Sequence, residues 1–447
     1  MASAAEQLAS SMSLGSFSKA TELKARIWFT LGALLVYRIG TYIPVPGVDA
    51  SVMGEMLAQH STGILGMFDM FSGGALGRMT VFALNIMPYI SASIIVQLMA
   101  GAVPSLEALK KEGESGRKKL NQYTRYLTVL IALIQSYGIA VGLEGMRGNF
   151  GAAVIDPGLF FRVSCVVTLV GGTMFLMWLG EQITARGVGN GTSLIIFAGI
   201  VANLPSALVN LLELGRTGAL SPIFILLFII IAVAVVAFVV FMERAQRRVT
   251  VQYPKRQVGQ RMFGGDSTHM PLKVNTAGVI PPIFASSILL IPATIAGFAS
   301  NNPDGWLAWV AQRFGHGEPM YMVTYAGMIL FFSFFYTAIV FNTEETADNL
   351  KKYGGFIPGV RPGTNTAQYF DTILTRLTTV GAVYLAIVCL LPEILIARYG
   401  VPFYFGGTSL MIIVSVTMDT VTQIQSHLLA HQYEGLIRKG RVKGRPS

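Results

Sequence analysis

IFILLFIIIAVAVVAFVVFM, residues 223–242, is a run of apolar residues with no charged side chain. A helix of about 20 such residues crosses the hydrocarbon core of a bilayer, so this run predicts a membrane span. The whole chain is similar in character, because 53% of its 447 residues are hydrophobic and only 13% are charged, against about 25% in ordinary soluble domains. The composition therefore predicts an integral membrane protein with no room for a sizeable soluble catalytic domain.

Further apolar stretches lie on both sides of this run, between charged breaks or breaks rich in Gly and Pro. Together they predict an all-α integral membrane protein of ten transmembrane helices. The predicted spans are residues 27–43, 79–100, 126–143, 159–183 and 192–212 in a first half, and 223–242, 277–298, 322–341, 373–391 and 408–429 in a second half.

Each half holds an odd number of spans, so the second half enters the membrane in the orientation opposite to the first, as in an inverted repeat. Aligning Pro88 with Pro281 pairs Ile90 with Ile283, which supports this internal symmetry. Interrupted helices at matching places indicate the functional site of such folds, although a proline can also simply kink a packed span. The predicted divisions are a five-helix half over 27–212, an external hinge over 213–221 and a second five-helix half over 222–429.

Positive charge is concentrated on one predicted side of the membrane. Of the 33 Lys and Arg residues, 24 fall in the terminal tails and in the loops that share their side. The positive-inside rule therefore predicts cytoplasmic termini, with tails over 1–26 and 430–447 and long cytoplasmic loops over 243–275 and 344–370. Residues 1–18 lack the charged segment and adjacent apolar run of a cleavable signal peptide, so we expect the first span to remain as a membrane anchor.

Groups that carry catalysis or bind metals are scarce near the spans. The candidate carboxylates are Asp69, Glu181, Glu393 and Asp419. None has a second carboxylate, a histidine or a lysine at helical spacing. His427 and His431 are one helical turn apart, but no carboxylate or thiol completes a metal site. Both cysteines lie in apolar stretches, which excludes a disulfide scaffold. We therefore expect no enzyme, no metal site and no cofactor.

Residues 61–77, STGILGMFDMFSGGALG, are apolar but too short to cross a membrane. Such a segment is re-entrant or interfacial. Its five glycines weaken a helix and suit a mobile element packed against other helices. The residues alone allow two interpretations, a plug in a pore or an external surface helix.

The two long loops, 243–275 and 344–370, mix basic and apolar side chains. Long loops in compact proteins are usually functional. This composition suits docking of a large partner, such as ribosomal RNA or an acidic protein face, better than capture of a small solute. Simple solvation of the loops is the alternative.

Besides a pore, two other functions are possible for such a membrane protein, a secondary transporter and a membrane enzyme. Inverted repeats with broken helices are common in secondary transporters, but this chain lacks the coupled pair of intramembrane charges that proton-coupled transport would use. A membrane enzyme would need a catalytic constellation, which the sequence does not offer.

Several stretches have a distinctive sequence. They are MPYISASIIVQL (87–98), KKEGESGRKKLNQYTRY (110–126), MWLGEQITARGVGNG (177–191), STHMPLKVNTAGVIPPIFASS (267–287), ETADNLKKYGGFIPGVRPG (345–363) and VPFYFGGTSL (401–410). Together they closely resemble the bacterial SecY family of protein-translocation channels. The resemblance implies ten helices in two pseudo-symmetric halves around a polypeptide-conducting pore, and it favours a channel over a transporter.

The resemblance also implies the residues of each functional part. The constriction ring would consist of Ile86, Ile90, Thr192, Ile196, Ile283 and Ile412. The plug would include Gly63, Ile64, Leu65, Gly66, Met67, Phe68, Asp69, Met70, Phe71, Ser72, Gly73 and Gly74. The lateral gate would include Ser91, Ser93, Ser286 and Ser287. The docking surface would include Arg247, Arg248, Lys255, Arg256, Lys351, Lys352 and Arg361.

The partners that the resemblance implies are the SecE and SecG subunits, the SecA motor ATPase, the ribosome with its RNA, signal sequences and nascent polypeptides, and anionic lipids. The implied location is the bacterial cytoplasmic (inner) membrane. Thr192 places one hydroxyl in an otherwise aliphatic ring, which bears on how dry the constriction is.

Overall fold

The computed structural model describes residues 21–49, 52–54, 69, 72–145, 147–148, 151–217, 221–253, 256–258, 261–263, 267–298, 318–399 and 407–443. The helices up to residue 217 are α1 Thr21–Gly40, α2 Met87–Ala102, α3 Pro104–Lys111, α4 Glu114–Gly145, α5 Leu159–Arg186, α6 Gly191–Ala202 and α7 Leu204–Arg216. The later helices are α8 Pro222–Arg244, α9 Ile280–Phe298, α10 Pro319–Val340, α11 Thr343–Lys352, α12 Thr364–Tyr399 and α13 Gly407–Lys443.

Short antiparallel pairs of strands lie between some of these helices. They are β1 Arg147–Gly148 with β2 Gly151–Ala152, β3 Gln246–Gln252 with β6 Ser267–Lys273, and β4 Arg256–Val258 with β5 Arg261–Phe263.

Every predicted span contains a helix, and the helical membrane fold is confirmed. Within the described part of the chain, seven helical segments are each long and apolar enough to cross a membrane. The pair α2 and α3, bent by 98° where they meet, provides an eighth. α1 and α9 occupy the two remaining predicted spans.

The side chains of α8 show what surrounds the bundle. Ile223, Val233 and Phe241 are 79%, 64% and 68% exposed. A soluble protein rarely exposes so large an apolar face, whereas lipid tails match it and the helix satisfies its own backbone hydrogen bonds. α8 therefore presents most of its surface to lipid.

The predicted start of the second span, at Met79, is wrong. α2 begins at Met87, because the residues before it form turns in which Met79 and Asn85 have φ values of 44° and 50°. These values interrupt a right-handed helix. Pro88 lies in the first turn of α2, where its missing N–H leaves no helical hydrogen bond unmade. Hydropathy does not detect this break, because residues 79–86 are nearly as apolar as the helix that follows.

Other predicted segments contain structure that the sequence did not reveal. The span 192–212 is divided at Asn203 into α6 and α7, with Pro205 in the first turn of α7. The loop 344–370 contains most of α11 and the first turns of α12, and the loop 243–275 contains the β3–β6 ladder. The strands qualify the all-α prediction only in this extramembrane loop and at the short β1–β2 pair.

The largest apolar cluster draws side chains from both predicted halves. It includes residues of α1, α2, α5 and α6 from the first, and of α8, α9, α10, α12 and α13 from the second. A separate cluster of Val249, Leu272, Ile357, Phe370 and Ile373 fixes the β3–β6 ladder to the start of α12. The largest cluster holds most of the predicted ring residues in position. The five-residue cluster lies beneath the two long loops and supports their surface.

Candidate functional site

Four of the six predicted ring residues belong to the largest apolar cluster, and a fifth packs against it. Ile86, Ile90, Ile196 and Ile412 are buried, and the half-buried Ile283 packs against this cluster. They come from the start of α2 and from α6, α9 and α13, so the fold brings together residues from both predicted halves. Their action as a constriction ring stays a prediction.

Thr192, the sixth predicted ring residue, is half-buried in the first turn of α6. Asn190 caps this helix, and its Oδ1 accepts the backbone N–H of Thr192 at 3.1 Å. A capping side chain of this kind satisfies N–H groups that lack a helical partner. α6 thus begins at a defined residue, which fixes where Thr192 and Ile196 lie.

The helices that carry Ile90 and Ile283 begin in the same way. Pro88 and Pro281 each lie in the first turn of their helix, and the ring residue follows two positions later. The two prolines mark helix starts, where proline is favoured, and not kinks inside a span. The alignment that paired them therefore corresponds to matching local geometry.

The turn between α5 and α6, residues 187–190, is hydrogen-bonded to α1 of the first predicted half and to α13 of the second. Thr30 Oγ1 of α1 accepts the N–H of Val188 at 3.0 Å, and Gln423 Oε1 of α13 accepts the N–H of Gly189 at 2.9 Å. Gly189 has a φ of +89°, which glycine adopts without strain. The glycine-rich sequence here is therefore a tight turn held by two helices.

The predicted lateral gate lies where α2 contacts α9. Ser91, Ser286 and Ser287 are buried, and Ser93 is half-buried. The hydroxyls of Ser286 and Ser287 both donate to the carbonyl oxygen of Ile283, at 2.9 and 2.8 Å. Because these bonds stay within α9, separating α9 from α2 does not break them.

The predicted docking residues that the structure describes lie on the surface of two long loops that a backbone bridge joins. Gln252 at the end of β3 and Phe356 after α11 exchange two backbone hydrogen bonds, both 2.9 Å. This bridge joins the two long loops, and the cluster beneath it is apolar. The exposed basic residues on this surface are Arg247, Arg248, Lys351, Lys352 and Arg361. Lys255 and the side chain of Arg256 lie outside the described residues.

The structure describes four of the predicted plug residues: Asp69, Ser72, Gly73 and Gly74. The other eight (Gly63, Ile64, Leu65, Gly66, Met67, Phe68, Met70 and Phe71) lie outside the described residues. Asp69 Oδ1 accepts the N–H of Gly77 at 2.6 Å, and the Asp69 carbonyl accepts the N–H of Gly74 at 2.9 Å. The segment therefore ends in an ordered turn.

Three side chains that the sequence analysis did not assign hold this turn: Tyr37, Arg38 and Arg78. The guanidinium groups also lie over the ring of Tyr42, at 5.1 Å for Arg38 and 4.2 Å for Arg78. The sequence does show two arginines on either side of the glycine-rich segment. Their partners are backbone carbonyls, however, and a sequence motif cannot identify such partners.

No three His, Cys, Asp or Glu side chains in the part of the chain that the structure describes are close enough to hold a metal ion. Cys165 and Cys389 are buried and are not joined in a disulfide. Of the candidate carboxylates, Asp419 is exposed on α13. Glu181 forms an ion pair with Arg125, which connects α5 to α4.

Comparisons with known proteins show the family of this chain. The SecY family model matches residues 80–421. The protein translocase subunit SecY of Rickettsia conorii is 56% identical over 429 residues, covering 96% of this chain and 99% of that protein.

Two solved structures share the fold at low sequence identity. One concerns the plug domain of SecY, which stabilises the closed state of the translocation channel and maintains a membrane seal. It has a TM-score of 0.65 and 16% identity, over 90% of this chain and 92% of that one. The other is Sec61 in a canine ribosome-channel complex, with a TM-score of 0.61 and 15% identity over the same shares. The chain belongs to the SecY family, and it is a protein-conducting channel subunit of the translocase and not an enzyme.

Proposed function

We propose that unfolded polypeptides cross the membrane through a constriction in this chain, and that apolar segments leave it sideways between α2 and α9. The constriction residues are Ile86, Ile90, Thr192, Ile196, Ile283 and Ile412. The observation that carries the proposal is the meeting of four of these isoleucines in one buried cluster to which both predicted halves contribute. Apolar contacts of this kind can part and close again around a passing chain without binding it.

The chemistry of the ring suits a seal. A narrow apolar constriction resists wetting and so holds back small ions. The hydroxyl of Thr192 adds one polar group, but a threonine in a helix can bond its own backbone. We therefore expect the idle channel to conduct few ions.

The lateral gate requires two helices that separate reversibly. Small residues allow helices in a membrane to pack closely, and Ser91, Ser93, Ser286 and Ser287 provide them here. The bonds of Ser286 and Ser287 to Ile283 within α9 support easy separation. An apolar signal sequence in the pore would then pass into lipid.

We assign the role of plug to residues 61–77. The support is the length of the segment, its glycine content and the ordered turn at its end. The SecY structure with the same fold has a plug domain that stabilises its closed state.

The joined basic loops are the proposed docking surface for a ribosome, including its RNA, or for the SecA motor. Arg247, Arg248, Lys351, Lys352 and Arg361 present positive charge that attracts RNA phosphates or acidic side chains. Arg361→Glu should therefore abolish driven translocation while the protein still folds, whereas normal translocation would remove Arg361 from this surface.

We further propose that the chain lies in the bacterial cytoplasmic (inner) membrane, with both termini in the cytoplasm and with SecE, SecG and anionic lipids as neighbours. The distribution of Lys and Arg supports this orientation. Since the sequence has no nucleotide-binding motif, the energy would come from SecA, from translation or from the proton-motive force.

The test is translocation into vesicles that contain this protein with SecE and SecG, to which SecA, ATP and a signal-bearing precursor are added. We expect precursor that is protected from protease only when this chain is present. Absence of protection with all partners present would contradict the proposal. In that case Asp419→Asn would test proton-coupled transport, which a channel does not need.

A further inference from the structure

The turn at residues 72–74 ends the predicted plug segment, and three consecutive carbonyl groups in it accept side-chain hydrogen bonds from outside the segment. Tyr37 Oη donates to the Ser72 oxygen at 3.2 Å. Arg38 Nη1 and Arg78 Nη2 both donate to the Gly73 oxygen, at 2.9 and 3.2 Å. Arg78 Nε donates to the Gly74 oxygen at 2.9 Å.

The local backbone explains why cations bind here. Ser72 is helical, and Gly73 and Gly74 follow it with φ values of +68° and +83°. The last carbonyls of a helix have no partner within the helix, and positive charge is favourable at this end. The two guanidinium groups supply both the donors and the charge, and they are half-buried while Ser72 and Gly73 are buried.

The 72–74 turn also lies against α6, the helix that carries two of the proposed ring residues. A Cβ added to Gly73 would lie 3.0 Å from the Cα and from the carbonyl oxygen of Gly199 in α6. The turn therefore contacts the backbone of α6 directly. α6 also carries Ile196, one helical turn away, and Thr192.

The arginines themselves are held in place. Arg38 Nη2 donates to Tyr42 Oη at 3.1 Å, and Arg38 Nη1 to Thr41 Oγ1 at 3.4 Å. Tyr37 stacks on Phe82, with ring centroids 6.1 Å apart and planes 14° apart. Side chains of α1, together with Thr41, Tyr42 and Phe82, thus fix the groups that bind the turn.

We propose that Arg38 and Arg78 are positioning residues of the closed channel: they hold the 72–74 turn against Gly199, so that displacement of α6 by a passing polypeptide releases the plug. This inference rests on the proposed plug and ring. It adds a mechanical link between them, because one rigid helix carries ring residues and the contact surface of the turn. Opening the ring then loosens the plug without a separate signal.

The test compares Arg38→Gln, Arg78→Gln and the double variant in the full channel complex, with Arg216→Gln as the matched control. Arg216 ends α7 on the same predicted external side, is 82% exposed and pairs only locally with Glu213. Ion leak through the idle channel in planar bilayers is the first measurement. The second is export of a precursor with a defective signal sequence.

Each single variant should leave one donor on the Gly73 oxygen, so its leak should rise only a few-fold. The double variant leaves this oxygen with neither donor, and losing charge-assisted hydrogen bonds should shift the closed state about tenfold or more. The effect of the double variant should exceed the product of the single effects, because the two side chains share one acceptor. Arg216→Gln should leak no more than the unaltered channel.

A variant that lacks residues 61–71 separates this inference from the proposed function. If the deletion leaks and the double variant does not, the arginine link is wrong while the plug stands. If neither leaks, the plug itself is wrong and the inference falls with it. Should the double variant accumulate poorly, Arg38→Lys with Arg78→Lys keeps the charges but not the paired donors of Arg78, and an unchanged leak in it would overturn the inference.

Discussion

The α2–α9 contact and the 72–74 turn use opposite kinds of interaction. Where α2 meets α9, the hydroxyls of Ser286 and Ser287 bond within their own helix, and Ile90 of α2 and Phe284 of α9 belong to one apolar cluster. At the turn, the hydrogen bonds from Tyr37, Arg38 and Arg78 run between different parts of the chain. Apolar contact has no fixed direction, whereas a hydrogen bond requires a defined geometry.

This difference shows how one helical bundle can contain both a contact that opens and a turn that stays in place. Two helices that touch through apolar side chains in a membrane lose mainly packing contacts when they separate. A turn held by several directed bonds and backed by α6 keeps its position until those bonds break or α6 moves. Three predictions test whether this division holds.

The largest effect is expected from Ile90→Gly combined with Ile283→Gly. Truncating a buried isoleucine such as Ile90 to alanine costs about 2–5 kcal/mol, truncating the half-buried Ile283 costs less, and glycine in a helix adds about 1 kcal/mol per site. The closed contact should weaken, and precursors with defective signal sequences should be exported. The control is the same pair of glycines at exposed sites, Ile387→Gly with Val380→Gly, which shares only the helix cost. Equal signal stringency in the two double variants would contradict the ring assignment.

A smaller effect is expected from Gly73→Ala. Alanine in the left-handed region costs about 1–2 kcal/mol. Its Cβ would also press on the Gly199 backbone and lie 3.2 Å from Arg38 Nη1, and such overpacking costs about 1–3 kcal/mol more. The idle channel should therefore leak ions. Gly113→Ala is the matched control, because Gly113 has a φ of +76° but nothing within 4 Å of its added Cβ. A leak of the same size in both variants would mean that the contact with α6 does not matter.

The smallest effect is expected from Ser287→Ala, compared with Thr30→Val. Thr30→Val leaves the buried N–H of Val188 without its acceptor, which costs about 1–3 kcal/mol. Ser287→Ala removes a bond within α9, and a hydrogen bond of this kind contributes only about 0.5–1.5 kcal/mol. Thermal unfolding of the purified protein in detergent should show a lower midpoint for Thr30→Val. A reversed order would show that the gate hydroxyls also hold helices together.

The sequence predicted the spans well because apolar length is a local property that composition reveals. It missed the start of α2, since the positive φ values of Met79 and Asn85 come from the surrounding packing and not from hydropathy. The β3–β6 ladder was missed for a similar reason, because its alternating pattern is short and interrupted by charges.

The site was predicted unevenly. The ring residues came from resemblance, and the pairing of Pro88 with Pro281 located two of them from the sequence itself. Arg38 and Arg78 could not be assigned, because their partners are carbonyl oxygens that every residue carries. Only the folded backbone brings those oxygens to the two guanidinium groups.

α8 and α13 differ in a way that bears on how the protein is made. α8 is strongly apolar and exposes most of its surface, so it is stable in lipid on its own. α13 carries Thr417, Asp419 and Gln423, and half of its apolar stretch is buried against other helices. The position of such a helix in the membrane depends on packing against other helices, and α13 contacts α1, α6, α8 and α12. α13 therefore depends on helices inserted before it, and we expect a nascent chain truncated before α13 to lack the contribution of Ile412 to the largest apolar cluster.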